Sequence, residues 1–135
     1  MNSRKLFSLS ANERIKSRKD FELIYTSGKA IYSPDKKIKG VYFIVKGATK
    51  PGVKIAPVVS KKAGKAVWRI RVKRLIKEAY RLNKEILTEL SLKNNVLIKI
   101  VFSPNLMDEI NNKAIKLNDV KPGIVEIMLK IKSIL

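Results

Sequence analysis

Residues 60–90 carry two patterns at once. Trp68, Val72, Leu75, Ile76, Ala79, Leu82, Ile86 and Leu90 recur at helical spacing, one apolar stripe on a helix predicted over residues 65–90. Between Ser60 and Lys84, ten basic residues stand against one acid, Glu78, so this stretch holds +9 of the chain's +19. On the helical wheel Arg69, Lys73, Arg74, Lys77, Arg81 and Lys84 spread over the side opposite the stripe, and Arg71 lies on a flank. A solvated helix face usually mixes signs to form i,i+4 pairs. Here Arg69–Lys73, Lys73–Lys77, Lys77–Arg81 and Arg74–Lys77 are like-charged neighbours, each costing about 0.3 kcal/mol. Such a helix must bury one face in a core and offer the other to a polyanion: a nucleic acid, an anionic membrane or an acidic protein. Four of the seven arginines lie here while lysine is spread along the chain, and the planar guanidinium fork matches phosphate.

The rest of the composition narrows the chemistry. The 135 residues, 45% of them hydrophobic, predict one domain with a real core rather than a disordered basic tail. There is no Cys and no His. Thiol nucleophiles, Ser-His triads and Cys- or His-ligated metals are therefore excluded. No apolar run approaches the ~20 residues of a membrane span, and Met1 to Leu9 has no apolar core of a secretory signal. A soluble, cytoplasmic protein with no membrane role is expected.

Along the chain, residues 1–9 are predicted to be loose. Ser17-x-x-Asp20 opens a helix over 18–27 that Gly28 closes, with Phe21, Ile24 and Tyr25 on one face, and an earlier turn starts at Ser10-x-x-Glu13. A short strand is expected within 29–37, then strands at Val41–Val45 and Val53–Ser60, paired as a hairpin through Lys50-Pro51-Gly52. Pro57 lacks a ladder donor and predicts an edge or a bulge. Asn94-Asn95 marks a turn before a strand at Val96–Phe102. Leu106, Ile110, Ala114 and Leu117 suggest a short helix. Asn118 or Asp119 caps a last helix with Pro122 in its first turn and Ile124, Ile127, Met128 and Ile131 on its apolar face. The order helix, strands, long basic helix, strand, helix predicts an α+β or split βαβ arrangement, with helices on a small sheet.

Three binding candidates follow. The loop Ser60-Lys61-Lys62-Ala63-Gly64-Lys65-Ala66 enters the long helix, where free N–H groups attract phosphate and lysines without an anion would oppose the dipole; its plain alternative is a basic loop capped by Ser60. The basic helix face is the second. Phe21 with Tyr25 is the third, either stacking on unpaired bases or packing in the core. Ile70 falls among the cations, so either the helix starts later or Ile70 touches a partner.

The run from Val59 to Arg81, VSKKAGKAVWRIRVKRLIKEAYR, resembles the signature of the bacterial ribonuclease P protein component: Ser-Lys-Lys, a Gly, Ala-Val, an Arg-Asn-Arg, then Lys-Arg on a helix. Arg14, Asp20-Phe21 and Gly28 resemble the same family, and the similarity covers residues 10–102. Ile70 replaces the family's Asn, so Arg69 and Arg71 carry over and Ile70 does not. Residues 103–118 are left as a candidate insertion. The resemblance implies an α+β fold with a small mixed four-stranded sheet, three main helices and a split βαβ unit with a left-handed crossover. It implies a protein with no catalytic residue of its own, the subunit of a ribonucleoprotein endonuclease that removes the 5′ leader of precursor tRNA. It implies Mg²⁺ in the holoenzyme, held mainly by a catalytic RNA, and a monomeric protein partnered by that RNA and by precursor tRNA. Lys61, Lys62, Lys65, Arg69, Arg71, Lys73, Arg74, Lys77 and Arg81 would bind RNA. Phe21 and Tyr25 would line a leader cleft, completed by Tyr42 or by Val41 with Phe43. A ribosomal-type structural RNA-binding protein is the alternative. A stand-alone nuclease would need metal-ligand spacing that Asp20, Glu22 and Asp35 do not offer.

Overall fold

The computed structural model describes residues 9–135. The expected loose segment therefore falls outside that range except for Leu9, which packs against the core. A single 3₁₀ turn at Ala11–Glu13 precedes helix α1 (Arg18–Ser27) and strands β1 (Lys29–Tyr32), β2 (Ile38–Lys46) and β3 (Gly52–Pro57). A second 3₁₀ turn (Lys61–Ala63) leads into α2 (Ala66–Asn83) and α3 (Glu85–Asn94), then β4 (Val96–Pro104) and α4 (Leu117–Ile134).

The sheet is mixed and four-stranded, in the order β1-β2-β4-β3. β2 runs antiparallel to both β1 and β4, and β3 runs parallel to β4. The expected hairpin between β2 and β3 does not form, because β4 lies between them. The turn at Lys50-Pro51-Gly52 is a local signal, whereas the parallel pairing needs the whole α2–α3 crossover. Pro57 does end an edge strand. The chain before α1 lies along the outer side of β3: Arg14 bridges Ile55, and the Ile15 N–H donates to the Ile55 carbonyl at 3.0 Å.

The apolar alternation of the strands divides the core in two. Tyr42, Val53, Ile55, Val96, Ile98, Ile100 and Phe102 belong to the main core, with Trp68, Val72, Ile76, Ala79 and Tyr80 of α2, Leu87 of α3 and the apolar face of α4. Gly123 lets α4 press onto β2, since a Cβ there would stand 2.7 Å from Ile38 Cγ1. On the other sheet face the buried set among the described residues is smaller: Val41, Ala56 and Val101 of the strands, with Ile24 of α1 and Ile15 of the segment before it. α1 itself is built as expected: Ser17 Oγ accepts the Asp20 N–H at 3.0 Å, and Gly28 closes it by donating to the Ile24 carbonyl at 2.8 Å.

Three helical expectations are corrected. The long helix over 65–90 is divided at Lys84 into α2 and α3. Asn83 Nδ2 donates back to the Ala79 carbonyl at 3.0 Å, the side-chain competition that loosens a helix locally. The last helix begins at Leu117, so Pro122 sits beyond its first turn, and Asp119 acts by accepting the Lys116 N–H at 2.8 Å. No helix forms over 106–117: Leu106 and Ile110 are exposed, while Met107 and Ile115 are buried. Asp108 fixes a turn there by accepting the Asn111 N–H at 2.8 Å.

Candidate nucleic-acid interface

The cations of α2 emerge on both sides of its solvent face, because the buried residues Trp68, Val72, Ile76, Ala79 and Tyr80 fix its rotation. Arg69 and Arg71, two positions apart, leave the helix about 160° apart. Arg69, Lys73, Lys77 and Arg81 are half-buried, and Arg71 and Arg74 are exposed. Arg14 joins them from the segment along β3. Burial pulls the Lys77 ammonium below its ordinary pKa, and the nearby charges of Arg14, Arg81, Arg74 and Lys73 push the same way. The Nε atoms of Arg69 and Arg81 are buried with no hydrogen-bond partner among the described residues. Lys84 behaves differently: its Nζ lies 3.3 Å from Glu13 Oε2, so its charge is answered within the chain.

α2 begins at Ala66, and Ile70 is 51% exposed on it. A later helix start is thereby removed as the reason for an apolar residue among cations.

The basic loop takes a form the sequence did not suggest. Lys61, Lys62 and Lys65 are exposed, but Ser60 does not cap α2; it heads the 3₁₀ turn, and Lys65 occupies the N-cap position. The Lys65 N–H donates to Glu109 Oε1 at 2.8 Å. A carboxylate from the loop before α4 thus sits where a phosphate was expected.

On the other sheet face, α1 covers only part of the strands. Phe21 is half-buried at the margin of the small core, and Tyr25 is 53% exposed, so Tyr25 is no core residue. Tyr42 points into the main core, whereas Val41 and Phe43 lie beneath α1; the pair Val41 with Phe43 is the one that shares a face with Phe21. Register places Phe43 beside Lys99 and Lys99 beside Lys54, a half-buried row across β2, β4 and β3. Lys99 Nζ meets Asp20 Oδ1 at 2.8 Å, and this hydrogen bond holds the Asp20 carboxyl below its usual range. Beyond that pair the row opens into a hollow of about 470 Å³ between Asn12, Val45, Lys50, Pro51, Lys54 and Leu97.

The structure therefore brings the α2 cations together with Arg14, and Phe21 together with Phe43. It sets the two groups on either side of β3. Lys54 and Lys99 were missed by sequence reasoning, although strand alternation places them on the same face as Phe43. Arg14 joins the cations through a chain-to-strand bridge that no local pattern announces.

The "Ribonuclease P protein component" of Dictyoglomus thermophilum is 42% identical over 84 residues, 62% of this chain and 66% of that protein. The protein of the same name from Clostridium kluyveri is 43% identical over 72 residues, 53% of this chain and 60% of that protein. The chain thus spans just under two thirds of the length of these relatives. Among solved structures, the RNase P protein from Thermotoga maritima superposes with a TM-score of 0.64 at 22% identity, covering 91% of this chain and 98% of that one. The Staphylococcus aureus RNase P protein gives 0.63 at 23%, covering 88% and 94%. Both share the α+β fold described above. The sequence model of the family described as Ribonuclease P matches residues 9–119, and the chain belongs to that family.

Proposed function

We propose that this chain is the protein subunit of a ribonucleoprotein endonuclease, binding a catalytic RNA through the α2 cations and the single-stranded 5′ leader of precursor tRNA along the row beneath α1. What supports the reading is the placement of two unlike surfaces back to back across β3. One is a cluster of like charges with buried, unpartnered arginine nitrogens; the other is a half-exposed aromatic and lysine row. The first suits the phosphates of a folded RNA. The second suits an unpaired strand, whose bases stack on Phe21, Tyr25 and Phe43 while Lys54 meets its backbone and Lys99, tied to Asp20, fixes α1 over the row.

In this reading Lys61, Lys62, Lys65, Arg69, Arg71, Lys73, Arg74, Lys77 and Arg81 supply electrostatics, and bond cleavage belongs to the RNA. Mg²⁺ enters with the RNA in this reading. A monomer acting in the cytoplasm goes with this role, and no described helix is long and apolar enough to cross a membrane.

Reconstitution tests the proposal. The purified chain is mixed with a bacterial ribonuclease P RNA at low Mg²⁺, and cleavage of precursor tRNA is followed beside protein-alone and RNA-alone controls. Activity rescued only in the mixture is expected. Tight, salt-sensitive RNA binding without rescue would favour a structural role of the ribosomal type, and cleavage by the protein alone would reassign the catalytic centre.

A further inference from the structure

The turn at residues 108–112 is fastened to the basic loop on both sides of Gly64. The Glu109 N–H donates to the Ala63 carbonyl at 2.7 Å, and Glu109 Oε1 accepts the Lys65 N–H at 2.8 Å. A third bond follows at once: the Trp68 indole Nε1 donates to the Asn112 carbonyl at 3.0 Å. The approach is too close for any side chain at residue 64. A Cβ there would stand 2.8 Å from Trp68 Cε3 and 2.9 Å from Glu109 Cβ. The Gly64 backbone is extended, so glycine is needed for space and not for conformation. On its own side the turn is held by Asp108, through the Asn111 N–H at 2.8 Å.

We propose that Glu109 is a positioning residue for RNA binding: its carboxylate accepts the Lys65 N–H at the α2 N-terminus from within the chain and holds Lys61, Lys62 and Lys65 in the form that RNA meets. Three lysines at a helix N-terminus oppose the dipole, and a short loop of cations repels itself. The Glu109 side chain instead ties this loop down from a fixed turn, through its bond to the Lys65 N–H. It also fills the Lys65 N–H, so RNA contacts at this end fall to the lysine side chains and not to that backbone donor. Holding the loop before binding removes ordering entropy from the binding step.

This inference rests on the RNA-binding reading above, and the test separates the two. Glu109→Gln keeps an acceptor oxygen for the Lys65 N–H and loses the charge; Glu109→Ala loses both. The two variants therefore carry equal charge, and their difference isolates the hydrogen bond. Affinity for a transcribed bacterial ribonuclease P RNA is measured across a salt series. The emission of Trp68, the sole tryptophan, reports whether the turn stays docked. Glu109→Gln is expected to bind at least as tightly as the unsubstituted chain. Glu109→Ala is expected to bind about fivefold more weakly than Glu109→Gln, at the same salt slope and with shifted Trp68 emission. Gly64→Ala, which displaces the turn by sterics alone, should weaken binding in the same way.

Equal affinities for the Gln and Ala variants would overturn the proposal. So would equal tightening of both over the unsubstituted chain, which would mark Glu109 as an anion that RNA must displace. If the unsubstituted chain binds no RNA, the functional reading fails and this one with it.

Discussion

The two faces of the sheet are built on different scales. One is covered by α2, α3 and α4 over a continuous apolar core that includes Tyr80, Phe102 and a run of isoleucines at zero exposure. The other is covered by α1 and one extended segment over five buried residues. The thick face fixes the rotation of α2, and with it the direction of every cation on that helix. The thin face leaves strand residues half-exposed, and exposure there is what a passing strand requires. Most of the buried apolar surface thus lies on one side of a single sheet, and the half-exposed strand residues lie on the other.

Substitutions in the two cores test that division most strongly. Phe102→Ala in the thick core should cost about 4 kcal/mol, measured by denaturant unfolding. Ile24→Ala on the thin side should cost about 2 kcal/mol, because α1 can settle into the gap. Equal losses would mean that both layers carry the fold alike.

Next in size is the double change Arg69→Ala with Arg71→Ala. It should weaken binding to the catalytic RNA and reduce the salt slope by about two. Since the two guanidiniums leave α2 on nearly opposite sides, the single effects should add. A slope that does not move would take these residues out of the interface.

Phe21→Ala addresses the thin face alone. Discrimination between precursor and mature tRNA should fall about tenfold, the scale of one lost base stack, while the circular dichroism of the fold is retained. Unchanged discrimination in a folded variant would leave Phe21 as packing.

The smallest effect concerns Asp20. Its carboxyl is held below the usual range mainly by Lys99, so its contribution is fully present above the unfolded carboxylate value of about 3.9 and is lost as pH falls through the lower folded value. Asp20→Asn should cost at most about 1 kcal/mol at neutral pH. The gap in melting temperature between variant and parent should close on acidification; a gap independent of pH would deny the pair its role.

Local patterns were legible and distant pairings were not. Ser17, Asp20 and Gly28 delimit α1 by capping chemistry alone, and the apolar stripe of α2 is a property of one segment. Tyr42 and Phe43 could not be told apart until a register was fixed, because a shift of one residue exchanges the two faces. The insertion of β4 between β2 and β3 depends on a strand some forty residues downstream of β3, for which neither neighbour carries a mark. Leu106, Ile110, Ala114 and Leu117 mimicked a helix, because their spacing is helical while the turn is set by Asp108 and by the Trp68 indole. Charge patterning and helical spacing brought the cations and Phe21 to notice, yet Glu109 belongs to neither pattern, and its partner is visible only in three dimensions.

The position of β4 also governs the order in which the molecule can assemble. As synthesis proceeds from the N-terminus, β1 and β2 can pair as soon as they emerge, but β3 has no sheet neighbour until residues 96–104 follow it. Until then the inner edge of β3 is open, and the small core beneath α1 lacks Val101. The sheet must therefore close in one late step, joining segments far apart in the chain, the kind of step that slows folding and exposes a nascent chain to misassociation.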